Sequence, residues 1–318
     1  MKLQTTIPIS KGKHPIDYDS RVLLLGSCFV QNIGEKLGYY KFQVEQNPFG
    51  ILFNPMAIEN LVQRALASES YHKDEVFQHE GIWNCFDAHS DLSAISEQKL
   101  LDNLNHGLKK TTNELRSATH IIITLGTAWI YRHNSTQKPV ANCHKVPQKE
   151  FSKELLSVDA VKSSLKLMTA SIAAVNPKAN IIFTISPVRH LKDGFTENQR
   201  SKAHLISAVH ETISENQTST AYFPSYEIMM DELRDYRFYG KDMVHPNELA
   251  VDYIWERFKS TWISPESYAV MDEVEVVQKG LQHRPFNPNT EAHQKFTKSL
   301  QTKIECLQGK YPFIRFKQ

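Results

Sequence analysis

The sequence predicts an α/β protein built on a doubly wound, mostly parallel sheet. Two short apolar runs, VLLLG at 22–26 and HIIITLG at 120–126, end in glycine, and a third, NIIFTISP at 180–187, ends in proline. Short apolar runs with branched side chains and turn residues at their ends are typical of strands buried on both faces. Helical patterns separate these runs, and such alternation favours parallel strands with helices on both sides of the sheet.

The helices of this prediction are recognised by apolar residues that recur every three or four positions. The first has Val30, Ile33 and Leu37 on one face and is expected to end near Gly38. The clearest helix is ended by the Asn-Pro pair at 176–177. Its apolar face is formed by Val161, Leu165, Met168, Ile172 and Val175. Further helices are expected at about residues 56–68, 97–116 and 198–214.

Two segments interrupt the alternation of strands and helices. Residues 76–90 and 128–147 mix aromatic and polar residues with turn formers, so each is expected to form a β-hairpin or an excursion over the top of the sheet. After about residue 265 the pattern becomes mostly helical. We therefore expect residues 1–265 to form the main domain and residues 266–318 to form a helical extension packed on it.

Composition limits the class of protein and its partners. The chain has 318 residues, of which 41% are apolar, and 37 basic residues nearly balance 35 acidic ones to leave a net charge of +2. No block of Lys and Arg is long enough to predict binding to nucleic acid or to a lipid surface. No apolar run approaches the roughly 18 residues of a membrane span. The apolar stretch near the N-terminus is too short for a signal peptide. A cytoplasmic protein is expected.

Cysteine spacing and the missing cofactor motifs limit the chemistry further. Cys28, Cys85, Cys143 and Cys306 lie far apart and form no C-x-x-C pair, so they are expected to be reduced thiols. The sequence contains no P-loop, no G-x-G-x-x-G and no H-E-x-x-H. Neither a nucleotide cofactor nor a metal is expected.

The turn after the first predicted strand carries two candidate nucleophiles, Ser27 and Cys28, directly after Gly26. A side chain at a sharp turn between a strand and a helix is lifted above the sheet, and the N–H groups at the helix start can receive negative charge. A thiol in that setting has its pKa lowered toward neutrality. In the alternative interpretation, Gly26 makes a tight turn, Ser27 caps the helix and Cys28 is a small buried apolar residue.

A candidate base and its carboxylate partner occur late in the chain. Asp242 and His245 are three residues apart, just before an apolar helical pattern whose first turn suits Pro246. Imidazole can take a proton from Ser or Cys near neutral pH, and a carboxylate fixes its tautomer and stabilises the imidazolium that forms. Alternatively, Asp242 caps a helix and His245 is a surface residue.

Three further polar residues lie on loops expected at the same edge of the sheet. Arg189 can bind a carboxylate or phosphate with its planar guanidinium, and His144 can assist proton transfer. The alternative for each is a structural hydrogen bond, for instance from a ring N–H to a backbone carbonyl. His190, beside Arg189, can also be a loop residue that faces solvent.

The order of these features resembles the SGNH, or GDSL-like, hydrolases, and GSCFV at 26–30 is similar to the pentapeptide after which the GSCFA family is named. That family is an SGNH-like group with a three-layer αβα fold. Further stretches support the resemblance over most of residues 20–260: NPFGILFNP at 47–55, TLGTAWIY at 124–131, NCHKVP at 142–147, SPVRHLKDG at 186–194, YFPSYE at 222–227 and DMVHPN at 242–247.

The resemblance implies roles for the candidate residues. Placing G-S-C on the G-D-S of the SGNH pattern puts Cys28 at the position of the nucleophilic serine and Ser27 at that of the aspartate. His245 is then the general base and Asp242 its orienter. The rival register makes Ser27 the nucleophile and requires the turn to shift by one residue.

The resemblance also implies a site for the oxyanion of the reaction. SGNH hydrolases use the N–H of the nucleophile, a glycine N–H, which here is that of Gly50, and an Asn side chain, whose position here is Ala128. Loss of such a donor typically costs about 10²–10³ in rate, so Thr127, Asn54 or Asn142 is expected to replace it, or the protein is a weak hydrolase. The residues expected around the oxyanion and the substrate are Gly50, Asn54, Gly126, Thr127, Asn142, His144, Arg189 and His190.

The leading functional hypothesis is an SGNH-like acyl-ester hydrolase or acyltransferase that acts through a covalent acyl-enzyme on an ester of a small molecule or a glycan. A protein that keeps the pocket to bind a small ligand without catalysis is the alternative from another class. A serine esterase that uses Ser27, with Cys28 packed beneath it, is the third possibility. No motif in the sequence selects a substrate or predicts an oligomeric state.

Overall fold

A parallel sheet of five strands lies at the centre of the computed structural model, which describes residues 4–215, 219–287 and 289–316. The strands of the chain are β1 (Arg21–Gly26), β2 (Gln43–Gln46), β3 (Phe77–His79), β4 (Ile82–Asn84), β5 (His120–Leu125), β6 (Trp129–His133), β7 (Pro139–Val140), β8 (Phe151–Leu155), β9 (Asn180–Ile185) and β10 (Thr220–Phe223). The helices are α1 (Phe29–Tyr39), α2 (Pro55–Ala67), α3 (Glu97–Ser117), α4 (Val158–Val175), α5 (Phe195–Glu215), α6 (Ser225–Glu227), α7 (Glu248–Trp262), α8 (Tyr268–Gln282) and α9 (Glu291–Lys310).

The strand order of the central sheet confirms the doubly wound prediction. The order is β2-β1-β5-β9-β10, and each neighbouring pair is parallel. The chain moves outward from β1 to β2 and then returns to the other side of β1 with β5. In open α/β sheets this reversal of strand order marks the crevice in which ligands bind, beyond the carboxyl ends of the strands.

Alternate side chains of the central strands enter two separate cores. Leu23, Leu25 and Ile121 pack with α2, α3, α4 and α5 on one face of the sheet. Val22 and Leu24 pack with α1, α7, α8 and α9 on the other face. Because the direction of side chains alternates along a strand, burial on both faces requires an unbroken apolar run, and this explains VLLL at 22–25.

Helix starts follow the capping rules, with one correction. The side chains of Asn54, Ser96 and Ser157 accept N–H groups in the first turns of α2, α3 and α4. The prediction that Pro246 lies in the first turn of α7 is wrong, because Asn247 accepts the N–H of Ala250 and the helix begins at Glu248. The side-chain oxygen of Asn247 accepts a free N–H of the first turn, so Asn247 takes the N-cap position and Pro246 lies before the helix.

The two segments expected above the sheet form antiparallel structure. β3 and β4 make a hairpin, and β6 pairs with β7 on one side and β8 on the other. β8 was outside the predicted excursion of residues 128–147, and the edge strands β2 and β10 were not predicted either. β2 has the sequence QVEQ with all four residues half-buried, so it lacks the apolar run that identifies a central strand.

The C-terminal helices α8 and α9 are present as predicted for residues 266–318. Their buried side chains, among them Val274, Leu300 and Ile304, pack in the same core as α1 and α7. In the described part of the chain, none of the helices combines the length and the apolar character that crossing a bilayer would need.

Candidate functional site

The backbone conformation of the turn after β1 is determined by the close contact between β1 and β5. Gly26 has a φ of 131°, and a Cβ added to it would lie 2.1 Å from the carbonyl oxygen of Thr124 on β5. Only glycine fits both this conformation and this space. The N–H of Ser27 then donates to the same carbonyl at 3.0 Å, and Cys28 becomes the N-cap residue of α1.

Ser27 and Cys28 have different surroundings. The side chain of Ser27 is fully buried, and its hydroxyl has no hydrogen-bond partner among the residues that the structure describes. It faces the β5 side of the turn, since a Cβ added to Gly126 would lie 3.3 Å from the Cβ of Ser27. Cys28 is only partly buried. Of the two side chains, that of Cys28 is the one with access to solvent.

The pKa of the Cys28 thiol is raised above its ordinary value, so the lowering toward neutrality expected from the sequence is wrong. Burial raises its pKa, whereas the charge of Lys202 and the backbone N–H groups of Cys28 and Phe29 lower it. The two N–H groups belong to the start of α1, where the unpaired donors of a helix favour negative charge.

Lys202 is the main feature of the site that the sequence did not predict. It lies on α5 with its side chain fully buried, and its ammonium group donates to the carbonyl oxygens of Gly126 and Ser186, both at 2.7 Å. Burial lowers its pKa to about 7, and the negative charges of Cys28 and Glu227 act in the opposite direction. A sequence signal existed, because Lys202 precedes Leu205 and Val209 by three and seven residues and so shares their buried helix face.

Asp242 and His245 form a close pair. Oδ2 of Asp242 lies 2.6 Å from Nδ1 of His245, and both side chains are about half exposed. Oδ1 of Asp242 accepts the N–H groups of Val244 and His245, each at 3.0 Å. These backbone bonds, followed by the bond to the imidazole ring, lower the pKa of Asp242 to about 2. The carboxylate therefore holds the Nδ1–H tautomer and leaves Nε2 as a proton acceptor.

Arg189 anchors the turn that carries this pair. Its backbone N–H donates to the carbonyl of Val244 at 3.3 Å, and its guanidinium donates to the carbonyl of Met243 at 2.8 Å. The guanidinium also lies over the ring of Tyr239, 4.1 Å from its centroid. The loop after β9 is thus tied to the Asp242–His245 turn, and one guanidinium nitrogen is engaged there instead of in a ligand contact.

His190 lies next to the turn of Gly26, Ser27 and Cys28, called the nucleophile turn after its two candidate nucleophiles. Its ring packs edge to face on Phe53, and a Cβ added to Gly126 would lie 3.2 Å from its Nε2. In the described part of the protein, Nε2 has no hydrogen-bond partner. Burial lowers the pKa of His190 to about 3, with further contributions from the charges of Lys202 and His245. The ring is therefore neutral near neutral pH and within electrostatic range of both groups.

His144 and Asn142 make structural hydrogen bonds. Nε2 of His144 contacts the carbonyls of Cys85 at 2.7 Å and Ala88 at 3.1 Å, and the side chain is buried. Burial lowers the pKa of His144. Oδ1 of Asn142 accepts the N–H of His144 at 2.8 Å. His144 thus follows the structural alternative, whereas Asn142 also lines a cleft.

Several expected oxyanion donors have partners within the protein. The N–H of Gly50 donates to the carbonyl of Asn47 at 2.8 Å in a tight turn. The N–H groups of Gly126 and Thr127 both donate to the carbonyl of Phe53, at 2.8 and 3.0 Å. These backbone donors hold the loops together at the strand ends.

The side chains of Asn54 and Thr127 also have local roles. Oδ1 of Asn54 accepts the N–H of Ala57 as the N-cap of α2. The hydroxyl of Thr127 bonds that of Ser201 at 3.0 Å and accepts the N–H of Trp129. Among the described residues, the amide nitrogen of Asn54 has no hydrogen-bond partner, so this residue stays a candidate for the asparagine that the SGNH resemblance implies.

A cleft of about 280 Å³ brings together part of the expected site. It opens beyond the carboxyl ends of β5 and β9. The predicted site residues that line it are Asn54, Thr127, Asn142 and His190. The β6–β8 sheet adds Trp129, Tyr131 and Lys153 to its wall. Within residues 4–215, 219–287 and 289–316, no group of three His, Cys, Asp or Glu side chains is arranged to hold a metal ion.

Comparison with known proteins identifies the family. The sequence model of the GSCFA family matches residues 21–258, which include the nucleophile turn and the Asp242–His245 pair. The chain belongs to the GSCFA family. A second match, to the C-terminal domain of GSCFA domain proteins, covers residues 274–318.

Similarity of this GSCFA protein to characterised proteins is remote. No curated protein matches the chain. Among solved structures, it is similar to an acetyl xylan esterase (Est2A) from the rumen bacterium Butyrivibrio proteoclasticus, with 10% identity and a TM-score of 0.35. That match covers 77% of this chain and 65% of the esterase chain, so the GSCFA protein spans less than two thirds of it. At this distance the similarity carries no information about activity.

Proposed function

We propose that this GSCFA protein is an SGNH-like enzyme that hydrolyses or transfers an acyl group through a covalent intermediate on Cys28. His245 acts as the general base and Asp242 orients it. The observation that carries the proposal is the 2.6 Å contact between Asp242 and Nδ1 of His245, in a turn that Arg189 anchors to the strand ends. An imidazole that a carboxylate holds in one tautomer is the base that covalent acyl transfer uses to activate a thiol or hydroxyl.

The proposed reaction has two steps. In the first, Nε2 of His245 takes the thiol proton as the sulfur of Cys28 attacks the ester carbonyl, and the N–H groups at the start of α1 receive the negative charge of the carbonyl oxygen. The carbon–oxygen bond of the ester then breaks, and the alcohol leaves with the proton held by His245. In the second, water or an acceptor alcohol attacks the thioester and gives its proton to His245, which returns it to the thiolate of Cys28.

The geometry supports Cys28 over Ser27 as the nucleophile. The Ser27 side chain is fully buried on the side of Gly126, whereas that of Cys28 is partly exposed at the helix start. A free thiol nucleophile persists only where disulfides do not form, so a reducing compartment such as the cytoplasm is the proposed place of action.

The test is ester turnover by single variants. Cys28→Ala is expected to reduce hydrolysis of p-nitrophenyl acetate by at least roughly 10³, because the covalent step is lost. Ser27→Ala is the matched control and is expected to keep most of the activity. Intact mass spectrometry is expected to detect the acetylated wild-type protein and no acetylated Cys28→Ala protein. Full activity in Cys28→Ala would overturn the proposal.

One observation favours a second candidate function, a binding protein that keeps the pocket without catalysis. The N–H of Gly50, the glycine donor that the SGNH resemblance implies, is engaged by Asn47. A thiol-reactive probe separates the two candidates. Rapid labelling of Cys28 well below the free-thiol pKa of about 8.5 supports catalysis, and an inert thiol supports binding.

A further inference from the structure

The cleft beyond β5 and β9 has a wall that carries two ammonium groups over one aromatic ring. Tyr131 on β6 pairs directly with Lys153 on β8, and Trp129, two residues earlier on β6, shares their face of the strand pair. The ammonium nitrogen of Lys153 lies 4.8 Å from the ring centroid of Trp129 and 5.5 Å from that of Tyr131. Lys192, from the loop between β9 and α5, places its ammonium nitrogen 5.8 Å from the centroid of the same Tyr131 ring. Two separate elements therefore bring positive charge to one place.

The positive charge of this wall is only half neutralised. Among the described residues that line the cleft, Asp193 is the one carboxylate, and it pairs with Lys153. In the part of the chain that the structure describes, Lys192 makes no ion pair. Burial lowers the pKa of His190 to about 3 and raises the pKa of Cys143, so both side chains are neutral near pH 7. The described lining thus leaves one positive charge without a counterion.

The two asparagines of the cleft have their amide oxygens engaged by the backbone. Oδ1 of Asn54 accepts the N–H of Ala57, and Oδ1 of Asn142 accepts the N–H of His144. Because a backbone N–H can only donate, these bonds establish which end of each amide is the oxygen and which is the NH₂ group. Among the described residues, neither NH₂ group has a hydrogen-bond partner, and Asn54 is only 4% exposed. Free donors beside an unpaired ammonium group favour a ligand rich in acceptors.

The volume and the apolar walls of the cleft limit the size of such a ligand. A volume of about 280 Å³ is that of roughly nine water molecules at about 30 Å³ each. This is room for one ring or a short chain with a charged group. The rings of Phe53, Trp129 and Tyr131 supply flat apolar surface beside the ammonium groups. Apolar walls with a few polar groups that orient the ligand are typical of small-molecule sites.

We propose that this cleft is a binding site for a small molecule that carries an oxyanion, either a carboxylate or a phosphate, on an apolar ring or short chain. Lys192 supplies the unpaired positive charge, and Asn54 and Asn142 supply neutral donors. Trp129 and Tyr131 pack against the apolar part of the ligand. The inference goes beyond the proposed function and does not depend on it, because it requires binding and no acyl transfer.

Isothermal titration calorimetry of the full chain with three probes tests the proposal. Phenyl phosphate and benzoate carry an oxyanion on a benzene ring, and benzyl alcohol carries the same ring without charge. Saturable binding of at least one anion at a single site is expected, with benzyl alcohol at least roughly tenfold weaker. The tighter anion shows whether the site prefers phosphate or carboxylate. Binding of neither anion, or equal affinity for the alcohol, would overturn the proposal.

Two variants test the assigned residues with the tighter anion as probe. Lys192→Met removes the unpaired cation and is expected to weaken binding about tenfold. Lys178→Met removes an exposed lysine before the start of β9, at the opposite end of the sheet, and is the matched control with unchanged binding expected. Asn142→Asp keeps an oxygen for the N–H of His144 but replaces the free NH₂ group with a negative oxygen, so a larger loss is expected. Wild-type affinity in Lys192→Met or in Asn142→Asp would overturn the assignment.

The indole N–H signals of the tryptophans locate the bound anion. Trp129 lines the cleft, whereas Trp255 and Trp262 lie in the core on the other face of the sheet. In heteronuclear NMR spectra, with the Trp129 signal assigned by its loss in Trp129→Phe, the anion is expected to shift the Trp129 signal and to leave those of Trp255 and Trp262 unmoved. Binding with an unmoved Trp129 signal would place the anion elsewhere and overturn the proposal.

This proposal and the proposed function fail in different ways. Absence of ester turnover in the wild-type protein would remove the proposed function, while calorimetry and the Trp129 signal would still decide whether the cleft binds an anion. Conversely, normal turnover of p-nitrophenyl acetate without binding of phenyl phosphate or benzoate would remove only the inference about the cleft.

Discussion

The candidate site is built from two regions with opposite surroundings. The buried region comprises Gly26, Ser27 and Lys202, with the partly buried Cys28 and His190 at its edge, and it lies against the ends of β1, β5 and β9. The exposed region is the turn with Asp242 and His245, whose side chains are about half accessible to solvent. Steric contact between strands determines the first region, whereas hydrogen bonds accepted by the Asp242 carboxylate and donated by Arg189 determine the second.

This difference has a consequence for how the two regions respond to change. The buried region has no space to relax, so a substitution there is expected to disturb folding as well as activity. The exposed region contributes little buried surface, so a substitution there is expected to change activity with little effect on stability. Each of the following variants tests one side of this contrast, in order of the expected effect.

Gly26→Ala is expected to have the largest effect on stability. The new Cβ would lie 2.1 Å from the carbonyl oxygen of Thr124, in a backbone conformation that L side chains rarely adopt. A loss of more than about 3 kcal/mol in the free energy of unfolding is expected. Urea denaturation measures it. Gly38→Ala in α1 has nothing within 4 Å of the new Cβ and serves as the control, with no loss expected. Equal stability of the two variants would contradict the steric argument.

His245→Ala is expected to reduce ester turnover by about 10²–10⁴, the usual contribution of a general base. Its thermal midpoint is expected to stay close to that of the wild type, because the side chain is half exposed. Steady-state kinetics and a thermal melt on the same preparation check both parts. Turnover equal to that of the wild type would exclude His245 as the base, and loss of folding would break the contrast between the regions.

His190→Phe is expected to make stability less sensitive to acid. The pKa of His190 is lowered from 6.5 to about 3, so the unfolded chain binds the proton more readily over that interval. The stability due to the neutral ring is complete above pH 6.5 and is lost as the pH falls toward about 3. A change of about 3 kcal/mol in the stability difference between pH 7 and pH 4 is expected, because each pH unit between 6.5 and 4 contributes about 1.4 kcal/mol. Urea denaturation of the wild type and His190→Phe at both pH values measures the change. An equal loss of stability in the two proteins would contradict this account.

Arg189→Gln is expected to have the smallest effect of the series, about a tenfold fall in kcat. The variant loses the bond to the carbonyl of Met243 and the contact with Tyr239, so the Asp242–His245 turn is less firmly placed. Kinetics with p-nitrophenyl acetate measure the effect, and Arg200→Gln, which loses only an exposed ion pair with Glu197, is the control. A similar fall in both variants would indicate that the anchor has no role.

How well the sequence predicts a strand of this protein depends on whether both faces of that strand are buried. β1, β5 and β9 are buried on both faces, so their apolar runs identify them without reference to the rest of the chain. The edge strands β2 and β10 are short and mixed in polarity, and their pairing depends on strands far away in the sequence. The local apolar pattern therefore identifies a strand only where both faces of that strand are buried.

The same reasoning applies to the candidate site. The Asp242–His245 contact spans three residues in one turn, so the spacing in the sequence was enough to predict it. The burial of Lys202 depends on carbonyls 76 and 16 residues away, and only the folded chain brings them together. The engagement of the Gly50 N–H is a detail of backbone geometry that composition does not encode.

The way in which Gly26 determines its turn has a consequence for protein evolution and engineering. The position of Cys28 depends on the backbone of two core strands, whereas the wall of the cleft beyond β5 and β9 is made largely by side chains of the β6–β8 sheet and its loops. The wall can therefore be exchanged by substitution or insertion without moving the thiol. A library confined to Trp129, Tyr131, Asn142 and Lys153 would test whether this cleft selects the substrate of the proposed reaction.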